Sequence, residues 1–150
     1  MHIIIGRKYP DEIMRAVKEA RQSILILMYD WRWYANEPGA RIQRFNQEIL
    51  TAVRRGVRVV VRLNNAVNFE SKMNVRNFVA QPLKAGGVDV KSVISKKTMH
   101  VKMVIVDEKN VFLGSHNLTK NAFELNHEIS IFTDDTEAVT ECIAFFKAIE

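Results

Sequence analysis

At 150 residues, 47% hydrophobic and 26% charged, with only 6 glycines and 3 prolines, the chain has the length and composition of a single folded domain and excludes long disordered linkers. No run approaches the ~18 apolar residues of a membrane-spanning helix, and a lone cysteine, Cys142, excludes an internal disulfide and a thiolate zinc cluster. The net charge of +5 is unevenly placed: eleven Lys and Arg stand against Glu70 and Asp89 from Arg54 to Lys102, and seven acids against Lys147 alone from Asn121 to Glu150, so the middle of the chain can attract a polyanion and the tail cannot.

The N-terminal MHIIIGRKYPDE is charged too soon for a signal peptide, so the expected compartment is cytoplasmic, or periplasmic or extracellular if a leader has been removed. HIII reads as a first strand. PDEIMRAVKEARQ sets Ile13, Val17 and Ala20 on one helical face, with Asp11 and Glu12 at the end where the helix dipole favours negative charge. SILILMY is a buried strand. From Arg41 to Arg55, residues Ile42, Phe45, Ile49 and Val53 make a second helical face, and Gly56 is suited to end it in the left-handed conformation. VRVVVRL is a strand. Val75, Phe78, Val79 and Leu83 suggest a shorter helix, closed by Gly86 and Gly87 before the strand VDVKSV. VKMVIVD and VFLGS form a hairpin across Glu108, Lys109 and Asn110, and EISIF is a further strand. A last helix starts near Asp134 as its cap and buries Val139, Ile143, Phe146 and Ile149, with Cys142 as a core thiol.

Strands alternating with helices predict an α/β fold: a mixed, mostly parallel β-sheet flanked by helices on both faces, with residues 1–150 as one domain. There is no internal repeat. Neither GxGxxG nor GxxxxGK[ST] occurs, which sets aside dinucleotide and P-loop chemistry.

The polar residues around the hairpin carry the chemistry. On a strand, His100 and Lys102 share a face about 7 Å apart. If VKMVIV pairs with VFLGS, then Ser115 and Asn117 return to the level of that pair, beside Gly114, which permits close backbone approach. A nucleophile or base, a cation and neutral donors would then surround one tetrahedral anion. Asp107 has the opposite parity and suits a structural role. His116 opposes Ser115 and Asn117 in parity, and His127 opposes Glu128, so neither is placed for the chemistry.

His100, Lys102, Asp107, Gly114, Ser115 and Asn117 match the HxK(x)4D(x)6GSxN (HKD) signature in type and spacing, and the chain is thereby identified as a member of the phospholipase D superfamily. With one motif per chain, it resembles the small single-motif endonucleases of that superfamily, which form homodimers. The resemblance implies a phospholipase D-like fold and a metal-independent phosphodiesterase without cofactor. Its site would lie on a two-fold axis, where an isologous interface brings a residue beside its own copy. His100 of one copy would form a phosphohistidine while His100 of the other protonates the leaving oxygen and then activates water. Lys102 and Asn117 would hold the phosphate oxygens, with Ser115 adding hydrogen bonding, Glu128 orienting the histidine and Asp107 fixing the motif.

Nucleic acid is the expected substrate, DNA before RNA. The chain is short, and Arg54, Arg55, Arg58, Arg62, Lys72, Arg76, Lys96 and Lys97 make its centre basic. Lys96 and Lys97, just before His100, would line the groove. Arg32 and Trp33, with Trp31 and Tyr34 in YDWRWYANEPGAR, could stack on bases, but equally suit a dimer interface or core cover. A cardiolipin-type phosphodiesterase is the alternative; it asks for an apolar rim beside the site, and none is evident in the sequence. A non-catalytic nucleic-acid-binding module is the other. No stable membrane association is expected.

Overall fold

The computed structural model describes residues 1–65 and 78–149. Among these, seven strands form one sheet: β1 (His2–Ile5), β2 (Ser23–Met28), β3 (Arg58–Asn64), β4 (Asp89–Val93), β5 (Lys102–Val106), β6 (Asn110–Gly114) and β7 (Ile129–Thr133). The helices are α1 (Lys8–Glu19), α2 (Arg41–Arg54), α3 (Ala80–Ala85), α4 (Lys120–Glu124) and α5 (Thr136–Ile149). Gly56 ends α2 with φ 96°, the left-handed turn expected of it. The helix expected around Val75–Leu83 is α3, beginning only at Ala80; Val75, Lys72 and Arg76 lie outside the described residues. Asp135, not Asp134, caps α5, its Oδ1 accepting the Ala138 N–H at 2.9 Å. The short helix α4 was not expected; the Thr119 hydroxyl caps it by accepting from Ala122 N at 3.1 Å.

The sheet order is β1-β7-β6-β5-β2-β3-β4. The sheet is mixed, as expected, but only β2–β3 and β3–β4 pair in parallel; β1–β7, β7–β6, β6–β5 and β5–β2 are antiparallel. Followed through these pairings, β1, β2, β3, β4 and β6 point one way and β5 and β7 the other. The β1–α1–β2 crossover therefore does join strands of one direction, as a βαβ unit must. What the pattern did not reveal is that β5, β6 and β7 insert between them, which turns most contacts antiparallel.

Two cores result. Ile24, Ile26 and Met28 of β2, with Val104 and Val106 of β5, face α1 and α2; Leu25, Leu27, Met103 and Ile105 face α5, where Val139 and Phe146 are buried and Cys142, Ile143 and Ile149 pack partly buried. Burial raises the pKa of the Cys142 thiol. Among the described residues α5 is the single helix on its side, and these residues cover only part of that face. Ile3, Ile5 and Ile129 remain 55%, 64% and 55% exposed, in register with Ile131 and Leu113 across β1, β7 and β6. Among the described residues no helix is long and apolar enough to cross a membrane.

Candidate active site

All the strands of common direction end at one edge of the sheet, where β5 and β7 begin. The antiparallel register of β5 and β6 matches Met103 with Leu113, so Gly114 and Ser115 do return to the level of Lys102 and Val101. Gly114 has no alternative: a Cβ there would overlap Ser130 and the Ile129 carbonyl of β7. Ile129 and the preceding Glu128 enter at the same edge from β7.

His100 is exposed, just ahead of β5. The Lys102 Nζ lies 2.7 Å from the His100 carbonyl and 3.1 and 3.2 Å from its two ring nitrogens. Burial lowers the Lys102 pKa, against the opposing charge of Glu128. Asn117 is set by the neighbouring loop: its Oδ1 accepts the Asp30 N–H at 3.1 Å, while Leu118 N donates to Asp30 O and Arg32 N to Leu118 O, each at 3.0 Å. With Oδ1 committed, the Nδ2 hydrogens are what the amide offers an anion.

Ser115 and Glu128 form a unit of their own. The Ser115 hydroxyl accepts the Ile129 N–H at 3.0 Å and donates to Glu128, whose other oxygen accepts from Asn126 Nδ2 at 3.0 Å. Within one chain Glu128 is thus bonded to Ser115 and Asn126 rather than to His100, and it acts on Lys102 by charge. His116 turns inward: fully buried, it lies 2.8 Å from Ser130 Oγ, 3.0 Å from the Gly6 carbonyl and stacked 4.2 Å from Tyr9. Burial lowers its pKa, outweighing the opposing effects of the Gly6 carbonyl and of Glu128. His127 is exposed.

Asp107 stands at the other end of β5. Its carboxylate accepts backbone N–H groups of Arg21, Gln22 and Ser23 at 2.7–3.1 Å, and its own N–H donates to Ser23 O at 2.7 Å. It cannot touch a group held by His100, seven residues of extended chain (about 23 Å) away. Arg54, Arg55 and Arg58 belong to that far end too, at the close of α2 and the start of β3. They do not line the site; the basic groups that line the grooves there are Arg62, Lys91, Lys96 and Lys97.

The expected substrate residues divide. Lys96 and Lys97 are exposed in the loop before His100, and line a groove of ≈ 350 Å³ with Tyr29, Asn64 and Asn65. Arg32 is instead fixed on Asp30 by Nε at 2.6 Å and Nη2 at 3.3 Å, and Trp33 packs partly buried against the α1–α2 core. Trp31 is fully buried, its indole N–H donating to Asn46 Oδ1 at 2.7 Å; Asn46 in turn bonds the Arg32 carbonyl and Gln43. Of the readings open for this loop, core cover is the one the structure bears out for Trp31. Gln43 and Asn46 hold the loop that holds Asn117, and only their place on the buried face of a helix, at positions where apolar residues recur, could have signalled it.

On the α5 side a second groove, ≈ 600 Å³, reaches His100 and includes Val93, Ile94, Val101, Phe145 and Ile149 with Lys91 and Lys97 at its margin. Ile94 is 86% exposed. The apolar rim that the sequence did not make evident is therefore present, assembled from a loop and a helix about 50 residues apart. Among the described residues no three His, Cys, Asp or Glu side chains converge as metal ligands.

A family model described as "Cardiolipin synthase, PLD-like domain" matches residues 13–149. A curated relative, the "Probable cardiolipin synthase YwiE" of Bacillus subtilis (strain 168), is 31% identical over 108 residues, 68% of this chain and 21% of its own length. The chain spans 28% and 21% of the lengths of the curated relatives it matches. Among solved structures, NucT from Helicobacter pylori superposes with TM-score 0.79 at 22% identity, covering 99% of this chain and 93% of that one. Nuc from Salmonella typhimurium, a phospholipase D family member, gives 0.80 at 18%, with the same coverage. At these identities the two structures establish a common fold.

Proposed function

The chain belongs to the phospholipase D-like family, and from that premise we propose that residues 1–150 act as a metal-independent phosphodiester hydrolase, a non-specific endonuclease on DNA, with RNA as the alternative polymer, working as a homodimer with the active site on its two-fold axis. The observation that carries the reading is the meeting of His100, Lys102 and Asn117 at one strand edge, with the lysine ammonium already at the imidazole.

In the first step the His100 imidazole forms a bond to phosphorus as the phosphorus–oxygen ester bond breaks, and the leaving oxygen takes a proton from His100 of the second copy. That second imidazole then removes a proton from water, whose oxygen attacks phosphorus and releases His100. Lys102 and the Asn117 amide hydrogens carry the charge that grows on the non-bridging oxygens, where a divalent ion would otherwise serve. Glu128, held by Ser115, contributes negative charge beside Lys102.

Support for the second copy comes from the bare half-face. Ile3, Ile5, Leu113, Ile129 and Ile131 form a contiguous aliphatic surface, larger than isolated exposed apolar residues need explaining. It is continuous with the site, because Ile129 follows Glu128 and donates to Ser115. An isologous contact there would cover it and pair the two histidines.

Purified protein assayed on labelled single- and double-stranded DNA, RNA and cardiolipin vesicles in excess EDTA, beside His100→Asn, tests the proposal. DNA cleavage by the parent alone is the expected result; activity abolished by EDTA and restored by a divalent ion contradicts it. One observation favours a second reading: the groove with Ile94 and Phe145 beside His100 suits an acyl chain with its anionic phosphate at the lysines. Vesicle hydrolysis with nucleic acids untouched would select that substrate.

A further inference from the structure

Tyr29 directly follows β2, whose last residue, Met28, is in register with Lys102. No motif marks it, yet it touches both reactive groups. Its ring lies 4.6 Å from the His100 ring, centroid to centroid, tilted by 55°, and the Lys102 Nζ sits 5.1 Å from the centre of the Tyr29 ring. Tyr29 is half-buried and rooted at the end of a fully buried strand, whereas His100 is exposed on the segment leading into β5.

Resting on the hydrolysis proposed above, we infer that Tyr29 is a positioning residue: its ring face holds the imidazole and the ammonium in the relative pose that attack on phosphorus requires. An exposed histidine ahead of a strand has several rotamers open to it, and a nucleophile displaced by about 1 Å can lose about two orders of magnitude in rate. The Tyr29 face limits those rotamers on one side. For Lys102 the same face replaces water lost on burial with an attraction that favours the charged form. The groups facing the ammonium are His100 on its own segment, Tyr29 from the end of β2 and Glu128 from the start of β7.

The sign follows. Removing the ring while keeping an apolar side chain leaves the burial of Lys102 and removes the attraction, so the lysine gives up its proton at lower pH. Tyr29→Phe keeps the face and is expected within about 3-fold of the parent, with an unchanged pH profile. Tyr29→Leu is expected to lose about 10–100-fold in kcat with little change in KM, and to move the alkaline limb of the profile to lower pH. A small phosphodiester such as bis(p-nitrophenyl) phosphate serves beside single-stranded DNA.

Imidazole NMR reads the pose without turnover: a ring-current shift of the His100 signals, present in the parent and Tyr29→Phe, should vanish in Tyr29→Leu. Equal damage in both variants would assign the effect to the hydroxyl and overturn the inference. So would a Tyr29→Leu protein with an unmoved alkaline limb, or a parent lacking the ring-current shift. A parent that shows the shift but cleaves no phosphodiester would sink the hydrolase reading and, with it, the role of Tyr29 in catalysis, while leaving its grip on His100 established.

Discussion

At the start of β2 the Asp107 carboxylate receives backbone N–H groups from three successive residues, and at the other end of the same strand pair His100 stands exposed with Lys102 folded back on it. Both are motif residues flanking one strand, β5, and they use polarity in opposite ways. Asp107 meets fixed donors that no ligand could displace without unravelling the entry to β2. His100 lines a groove, and its imidazole, the Lys102 ammonium against it and the Asn117 amide hydrogens are donors whose coordination a phosphate could complete. Saturation marks the end that holds the sheet together; available donors mark the end that can do chemistry.

The largest effect expected is at the available end. His100→Asn should lower phosphodiester cleavage by about 10⁴-fold or more, with the thermal midpoint little changed because the side chain is exposed. Turnover retained within 10-fold would erase the contrast between the two ends. Next, Lys102→Met should cost about 10³-fold. In the parent, the alkaline limb of the rate profile should fall below the ordinary lysine range, since burial lowers that group's pKa. The sign is that of a cation needed in its charged form: activity is complete below the lowered pKa and disappears as pH rises through it.

A smaller loss, about 10²-fold, is expected for Ile3→Glu combined with Leu113→Glu, neither of which touches the reactive groups. Two carboxylates on the bare half-face should prevent pairing of copies, and sedimentation should report a monomer with an unchanged far-ultraviolet spectrum. Full activity from that monomer would mean that the available end is complete within one chain. In mixed dimers of parent and His100→Asn chains, a p-nitrophenyl ester, whose leaving oxygen needs no proton, should still release its first equivalent while DNA stays intact.

The contrast also explains what could be seen in the sequence. The motif residues act through fixed local spacing, so alternating parity and the hairpin register were enough to bring Gly114 level with Lys102 and Ser115 level with Val101. The same parity turned His116 inward, where Ser130 and Gly6 hold it. Sheet order was not available, because the insertion of β5–β7 between β1 and β2 depends on tertiary pairing that no local pattern records. The basic run misled for the same reason: Arg54, Arg55 and Arg58 are neighbours of Arg62 in sequence, yet they sit at the close of α2 and the start of β3, whose length of about 20 Å separates that end from the site. The grip of Tyr29 on His100 and the hold of Asn46 on Trp31 and Arg32 are contacts between residues 71, 15 and 14 positions apart.

The smallest effect belongs to the saturated end and is thermodynamic. Asp107→Asn should leave kcat unchanged and lower stability by about 1–2 kcal/mol, the worth of charge-assisted hydrogen bonds discounted for partial exposure. Asparagine keeps the left-handed backbone found at residue 107, φ 55°, without added strain, so the loss isolates the charge. Burial alone would raise the Asp107 pKa, but the N–H groups of Gln22, Ser23 and Arg21, with the Lys109 charge, outweigh it and hold the carboxyl below the usual carboxylate range. A group depressed in the fold contributes stability that is complete above its unfolded pKa of about 3.9 and is lost as pH falls through the folded value. Denaturation of the parent and Asp107→Asn should therefore differ at pH 7 and converge in acid, below that lowered value. A difference that persists there would assign the effect to packing, and an altered kcat at pH 7 would tie this end of β5 to the chemistry of the other.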